Sequence, residues 1–104
     1  MALDTFSKQP YETFPIEADF VNVLADGETI VLGTSDVSAL KSDGSTDATG
    51  IVLTVAEKAV SGSLLQIRVK DGVAVDSPYK ITFRAVTSDS NKYEKDVEMA
   101  VAEL

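Results

Sequence analysis

The segment Tyr79-Lys80-Ile81-Thr82-Phe83-Arg84-Ala85 alternates without a break, with Tyr79, Ile81, Phe83 and Ala85 on one side and Lys80, Thr82 and Arg84 on the other. A period of two sends these sets to opposite faces of an extended strand, so the segment specifies a strand half-buried against a core. The C-terminal stretch repeats the pattern: Tyr93, Val97, Met99 and Val101 share a face, Glu94, Asp96 and Glu98 share the other, and Lys95 is the misfit on the apolar side. Paired across the Thr87–Lys92 connection, the two segments bring Lys80 and Arg84 near the acidic row, where opposite charges support a hairpin.

Upstream, Leu65–Lys70 alternates cleanly, Ile51–Glu57 reads as a short buried strand, Thr29–Ser35 as another, and Phe14–Phe20 places Phe14, Ile16, Ala18 and Phe20 on one face. Val37–Lys41 fits either a short strand or one helical turn. Asp-Gly pairs at 26–27, 43–44 and 71–72 punctuate these segments, and Asp and Gly tolerate the positive φ of tight connections. Seven short segments with regular turn signals predict an all-β fold, an immunoglobulin-like antiparallel β-sandwich of about seven strands. The expected core contains Ile30, Leu32, Ile67, Val69, Tyr79, Ile81, Phe83, Val97 and Met99. Tyr79, which follows Asp76-Ser77-Pro78, is placed either to bond back to a loop as a tyrosine corner or to serve as the first core aromatic of its strand. No Trp or Cys pair of the antibody type is present.

At 104 residues the chain can bury one core without staples, which predicts one sandwich domain over 14–104. Residues 1–13 differ in character: Pro10 restricts its neighbour to extended backbone, and Leu3, Phe6 and Tyr11 stand spaced among polar residues. The expectation is an extended N-terminal arm, with Leu3, Phe6, Lys8, Tyr11 and Glu12 as candidate assembly contacts. The alternative is an arm that folds back to cover a sheet edge of its own domain.

Catalytic chemistry finds little to work with. The absence of His and Cys removes the usual general bases, thiol nucleophiles and soft-metal ligands, and the six glycines are scattered rather than gathered into a phosphate loop. Ser42–Asp47 is rich in oxygen ligands, but its two carboxylates lack the spacing and closing Glu of a calcium loop, so a polar turn is the expectation. Tyr79, Phe83 and Tyr93 stand at strand spacing, which reads as core rather than as a ligand-stacking set. No enzyme activity, metal, cofactor or small-molecule substrate is expected. The formal charge of −8 repels phosphate backbones and anionic lipid, which argues against nucleic-acid and membrane partners. Met1–Pro15 has no signal-peptide pattern and no stretch reaches membrane-helix length, so the mature chain is expected to begin near Met1 in a reducing cytosol.

Several segments taken in order carry a resemblance: Lys8-Gln9-Pro10-Tyr11-Glu12, Asp19-Phe20, Leu24–Ile30, Arg68–Gly72, Tyr79–Thr82, Thr87-Ser88 and Tyr93-Glu94. Together they resemble small structural proteins of tailed bacteriophages and prophages, of the fibre–tail adaptor or neck-region type. The chain departs from that pattern in its apolar Gly72–Pro78 connection and in lacking a Gly near Ser90. The resemblance implies a non-enzymatic virion structural or assembly protein at the head–tail or tail–fibre region. It would bind other phage structural proteins and copies of itself, in the bacterial cytoplasm during assembly and then in the virion. The competing expectation is an immunoglobulin-like surface- or carbohydrate-binding adhesion module, which would need exposed aromatic platforms.

Overall fold

The computed structural model describes residues 4–103. Seven strands form among them: β1 (Asp4–Lys8), β2 (Phe14–Asp19), β3 (Asp36–Leu40), β4 (Leu53–Ser61), β5 (Leu64–Val69), β6 (Tyr79–Val86) and β7 (Lys92–Val101). A one-turn helix α1 (Thr49–Val52) leads into β4, and a 3-10 turn (Ala74–Asp76) precedes β6. One sheet has the order β1-β7-β6-β3 and the other β2-β5-β4.

The β6–β7 hairpin forms the centre of the larger sheet, with Tyr79 opposite Met99 and Ile81 opposite Val97. The alternation has its expected consequence: Tyr79, Ile81, Phe83 and Ala85 are buried, as are Val97, Met99 and Val101. On the outer face Arg84 Nε bonds Glu94 Oε1 at 2.9 Å, Thr82 Oγ1 donates to Asp96 Oδ1 at 2.8 Å, and Lys80 Nζ lies 3.5 Å from Asp96. The smaller sheet contributes Ala18, Leu53, Leu65, Ile67 and Val69 to the same apolar cluster. Lys95, the misfit of the apolar face, lies 3.8 Å from Asp4 on the neighbouring β1.

Four expectations change, the first being Ile51–Glu57, which opens in α1 and is exposed at Val55, Ala56 and Glu57 rather than forming a largely buried strand. The larger sheet is mixed rather than antiparallel, because β1 runs parallel to β7, Asp4 opposite Val97 and Lys8 opposite Val101. Thr29–Ser35 is not a strand: it makes one bridge, Ile30 to Thr87, and then turns. The turn is closed by Val31 O, which accepts from the Ser35 backbone at 3.1 Å and from Ser35 Oγ at 2.7 Å. Ser35 Oγ in turn accepts from Val86 N–H at 3.0 Å, so a hydroxyl replaces strand pairing. Leu32, expected in the core, rides on this turn and is 41% exposed, whereas Ile30 and the other seven expected core residues are buried. Of the two readings of Val37–Lys41 the strand is found, as β3 paired with β6.

Phe83 is fully buried at the middle of β6. Phe83→Ala removes most of a ring from a packed core and is expected to cost about 3–5 kcal/mol in urea unfolding. An effect below about 1 kcal/mol would mean that the side chain lies outside the core.

Candidate assembly surfaces

Strand direction divides the loops into two sets. At one end lie 9–13, 41–52, 70–78 and 102–103; at the other lie 20–35, 62–63 and 87–91. The exposed large apolar side chains follow this division. Tyr11, Ile51, Val73 and Val75 belong to the first end, Val21, Val23, Val31 and Leu32 to the second, and Val55 on β4 is the remaining one among the described residues. Apolar exposure set out by loops on a rigid scaffold is how binding surfaces are commonly presented.

The first end is organised by Lys8. Its side chain is only 3% exposed, yet the ammonium is satisfied by three backbone carbonyls, Gln9 O at 2.7 Å, Pro10 O at 3.2 Å and Asp71 O. Burial lowers its pKa, opposed by the nearby Asp71 and Glu12 carboxylates. The contact ties the turn after β1 to the connection after β5. That connection needs left-handed backbone at Asp71 (φ 47°) and Gly72 (φ 95°). Gly72 also packs so closely that a Cβ would stand 3.0 Å from Val101 Cγ2. Further along, Val73 N–H donates to Tyr79 Oη at 3.0 Å, the bond back to the loop that the position of Tyr79 suggested. Lys41 pairs with Asp76 at 3.1 Å and joins a second loop to the first.

Among the candidate contacts, Leu3 lies outside the described residues. Phe6 is half-buried and meets Phe14 edge to face, with ring centroids 6.0 Å apart. Lys8 is the buried hub, while Tyr11 is 97% exposed at the tip of the turn. The Glu12 carboxylate caps that turn by accepting from Gln9 N–H at 2.7 Å. Tyr11, Glu12, Thr13, Phe14 and Asp71 line a shallow hollow beside it.

The second end is organised by Glu28, a residue that the sequence reading passed over. Its buried carboxylate accepts from Ala25 N–H at 2.9 Å, Asn91 Nδ2 at 2.9 Å and Thr87 Oγ1, so the β2–β3 and β6–β7 connections are locked together. These donors, Thr87 first, hold the Glu28 pKa below the usual carboxylate range. The signal available in the sequence was a Glu three residues after Ala25, across the Asp26-Gly27 turn.

The oxygen-rich Ser42–Asp47 loop uses its carboxylates internally. Asp43 accepts from Ser45 N–H, Thr46 N–H and the Thr46 hydroxyl, and Asp47 accepts from Thr49 N–H and its hydroxyl. No group of three or more potential metal-ligating side chains gathers among the described residues. Of the seven aromatic rings only Tyr11 is fully exposed; Tyr79 and Phe83 are core and Tyr93 is half-buried.

The described residues form a β-domain with exposed apolar side chains on both sets of loops and no gathered metal-ligating group, and the class to which the chain belongs is that of a structural adaptor. The chain belongs to the family described as podophage GP4 fiber-tail adaptor protein gp77, whose model matches residues 8–101. It is a fibre–tail adaptor structural protein of podophage and a component of the virion tail, as the resemblance in its sequence implied. No curated protein matches it.

Two expectations follow. Gly72→Ala is strained by both φ and the Val101 contact, and should lower stability by more than about 1 kcal/mol in urea unfolding. For pH, hydrogen bonds from Thr46 and Ser45 hold Asp43 down to about 2, against an ordinary value of about 3.9 in the unfolded chain. A depressed folded pKa means that the Asp43 contribution is complete above the unfolded value and is lost as pH falls through the folded one. The melting-temperature difference between wild type and Asp43→Asn should therefore be constant from pH 5 upward and shrink between about pH 4 and 2.

Proposed function

We propose that the chain is a two-ended connector, an immunoglobulin-like sandwich that docks a tail protein through one set of loops and a fibre protein through the other. The observation that carries this reading is the segregation of exposed apolar side chains: four at the end organised by Lys8, four at the end organised by Glu28, and one between. Apolar area removed from water stabilises such contacts by about 25 cal/mol per Å² before ordering costs. Pre-ordered loops keep those costs low. The bond from Val73 N–H to Tyr79 Oη supports the immunoglobulin-like assignment, since a tyrosine bonded back to its preceding loop recurs in that fold.

Residues 4–13 belong to the first docking end in this reading, with Tyr11 as its most exposed anchor and Phe6, Lys8 and Glu12 shaping or flanking it. Assembly takes place in the bacterial cytoplasm, and the protein remains in the virion at the tail–fibre junction. Contacts between copies of the chain would let several adaptors surround one tail. The reading involves no catalysis.

The test uses two double variants, Tyr11→Ser with Val75→Ser at one end and Val23→Ser with Leu32→Ser at the other. All four side chains are exposed, so melting temperatures should change little. Binding is measured separately to the purified tail and the purified fibre of the same phage. Each pair is expected to weaken one association at least about tenfold, a change of ~1.4 kcal/mol, while leaving the other within about twofold. If both pairs weaken the same association, or neither weakens any, the two-ended reading fails.

A further inference from the structure

The four sheet edges are treated unequally. The outer edge of β3 is already occupied: Ala39 N–H donates to Thr49 Oγ1 at 3.0 Å, Ala39 O accepts from Ala48 N–H at 2.8 Å, and Lys41 N–H donates to Thr46 O at 2.9 Å. The β4 edge is broken by a bulge, in which Val55–Lys58 stand against Ile67 alone and Lys58 Nζ is turned to Ser35 O. On β2 the pairing of Phe20 N–H with Ser63 O sets the alternation, so Phe14, Ile16 and Ala18 bond to β5 while Pro15, Glu17 and Asp19 point outward. Pro15 therefore removes a donor from that edge, and acidic residues occupy its other outward positions.

The β1 edge has none of these devices. Ala102 N–H donates to Lys8 O at 3.1 Å, which places Lys8, Phe6 and Asp4 in the bonding set toward β7 and turns the N–H and C=O of Thr5 and Ser7 away from the sheet. Among the described residues nothing hydrogen-bonds those four groups. Phe6, Phe14 and Ile16, on the two strands that border this flank, are half-buried although their side chains face the core. A strand laid along β1 would complete their burial.

We propose that the β1 edge accepts one extended strand from another phage structural protein, and that this strand carries apolar side chains on its inner face and basic side chains on its outer face. The apolar face is asked for by Phe6, Phe14 and Ile16. The basic face is asked for by charge: Glu98 lies opposite Thr5 in the ladder, Glu17 and Asp19 line the neighbouring edge, Lys8 is buried, and Lys95 is already beside Asp4. A second copy of this chain brings another net charge of −8 and the same acidic flank, so it is the poorer occupant. Main-chain bonds to Thr5 and Ser7 would supply attachment, and the side-chain pattern would supply choice of partner.

The geometry supplies a selective test. Thr5→Pro and Ser7→Pro each delete an outward donor while keeping the bonds to β7, so the fold should be retained with melting temperatures near wild type. Binding of each variant to the purified tail and fibre proteins of the phage is compared with wild type, alongside sedimentation of the chain alone. Loss of at least about tenfold in one of the two associations, with the other retained, is expected. In parallel, amide exchange of the wild-type chain in that complex should show Thr5 and Ser7 slowed relative to the free chain, a readout that does not depend on the variants folding. Unchanged binding with unslowed exchange would overturn the proposal. Sedimentation showing a wild-type dimer that Ser7→Pro dissolves would overturn the choice of occupant. Because neither Thr5 nor Ser7 is part of the exposed apolar loop sets, the loop variants can fail while this edge succeeds, and the reverse.

Discussion

Everything in the larger sheet is placed by the β6–β7 hairpin. Its inner face supplies Tyr79, Ile81, Phe83, Val97, Met99 and Val101, all buried, and these are the surface onto which the smaller sheet packs. Its two flanks receive β3 and β1, and its first residue, Tyr79, fixes the preceding connection through its hydroxyl. The outer face is laced by Arg84–Glu94, Lys80–Asp96 and Thr82–Asp96, which contribute register more than strength, since a slip of one residue would set the apolar row in water and the charged row in the core. A hairpin with unlike faces thus carries the definition of inside and outside for the whole domain.

That hairpin was legible because its strands alternate, with Lys95 the one exception, and its charges are complementary in a register that buries the apolar rows. Thr29–Ser35 misled for a related reason: Ile30, Val31 and Leu32 have strand-like composition, but Gly33, Thr34 and Ser35 follow, and a serine hydroxyl bonded to Val31 O closes a turn before a second ladder bond can form. The strand Asp4–Lys8 was hidden for the opposite reason. Its inward positions are Asp4, Phe6 and Lys8, two of them charged, so the period of two is present but carries no apolar signature. Lys8 can be buried because its ammonium meets a carbonyl from Asp71, 63 residues away, and Asp4 lies beside Lys95 of β7. Contacts at that separation leave no trace in local pattern.

The surfaces were legible in part. Tyr11 stood out as an aromatic in a polar, proline-containing segment, and the apolar character of Val73 and Val75 was visible as a departure from the family pattern. Val21 and Val23 were not, since a valine in a loop reads the same whether it packs inward or outward until the chain is folded. Glu28 was missed because acids at Asp-Gly turns are commonly solvated, and only the convergence of Ala25, Thr87 and Asn91 makes this one a structural centre.

Lys8 and Glu28 perform the same task at opposite ends of the molecule with opposite charges. Each is a buried ionised group that exchanges its hydration for three donors or acceptors drawn from two separate loops, which stabilises this loop arrangement over others that keep the charge buried without those partners. A connector is useful only if its contact surfaces hold a fixed relation to each other, and loops ordered before binding avoid paying the ordering entropy when the partner arrives. The strands that separate the two loop sets run from one set to the other and are joined side by side by ladders of hydrogen bonds. The charged pairs on the sheet face fix register, and the buried ionic centres at the two ends fix the loops, so the exposed apolar tips are held by a scaffold that is ordered on every side.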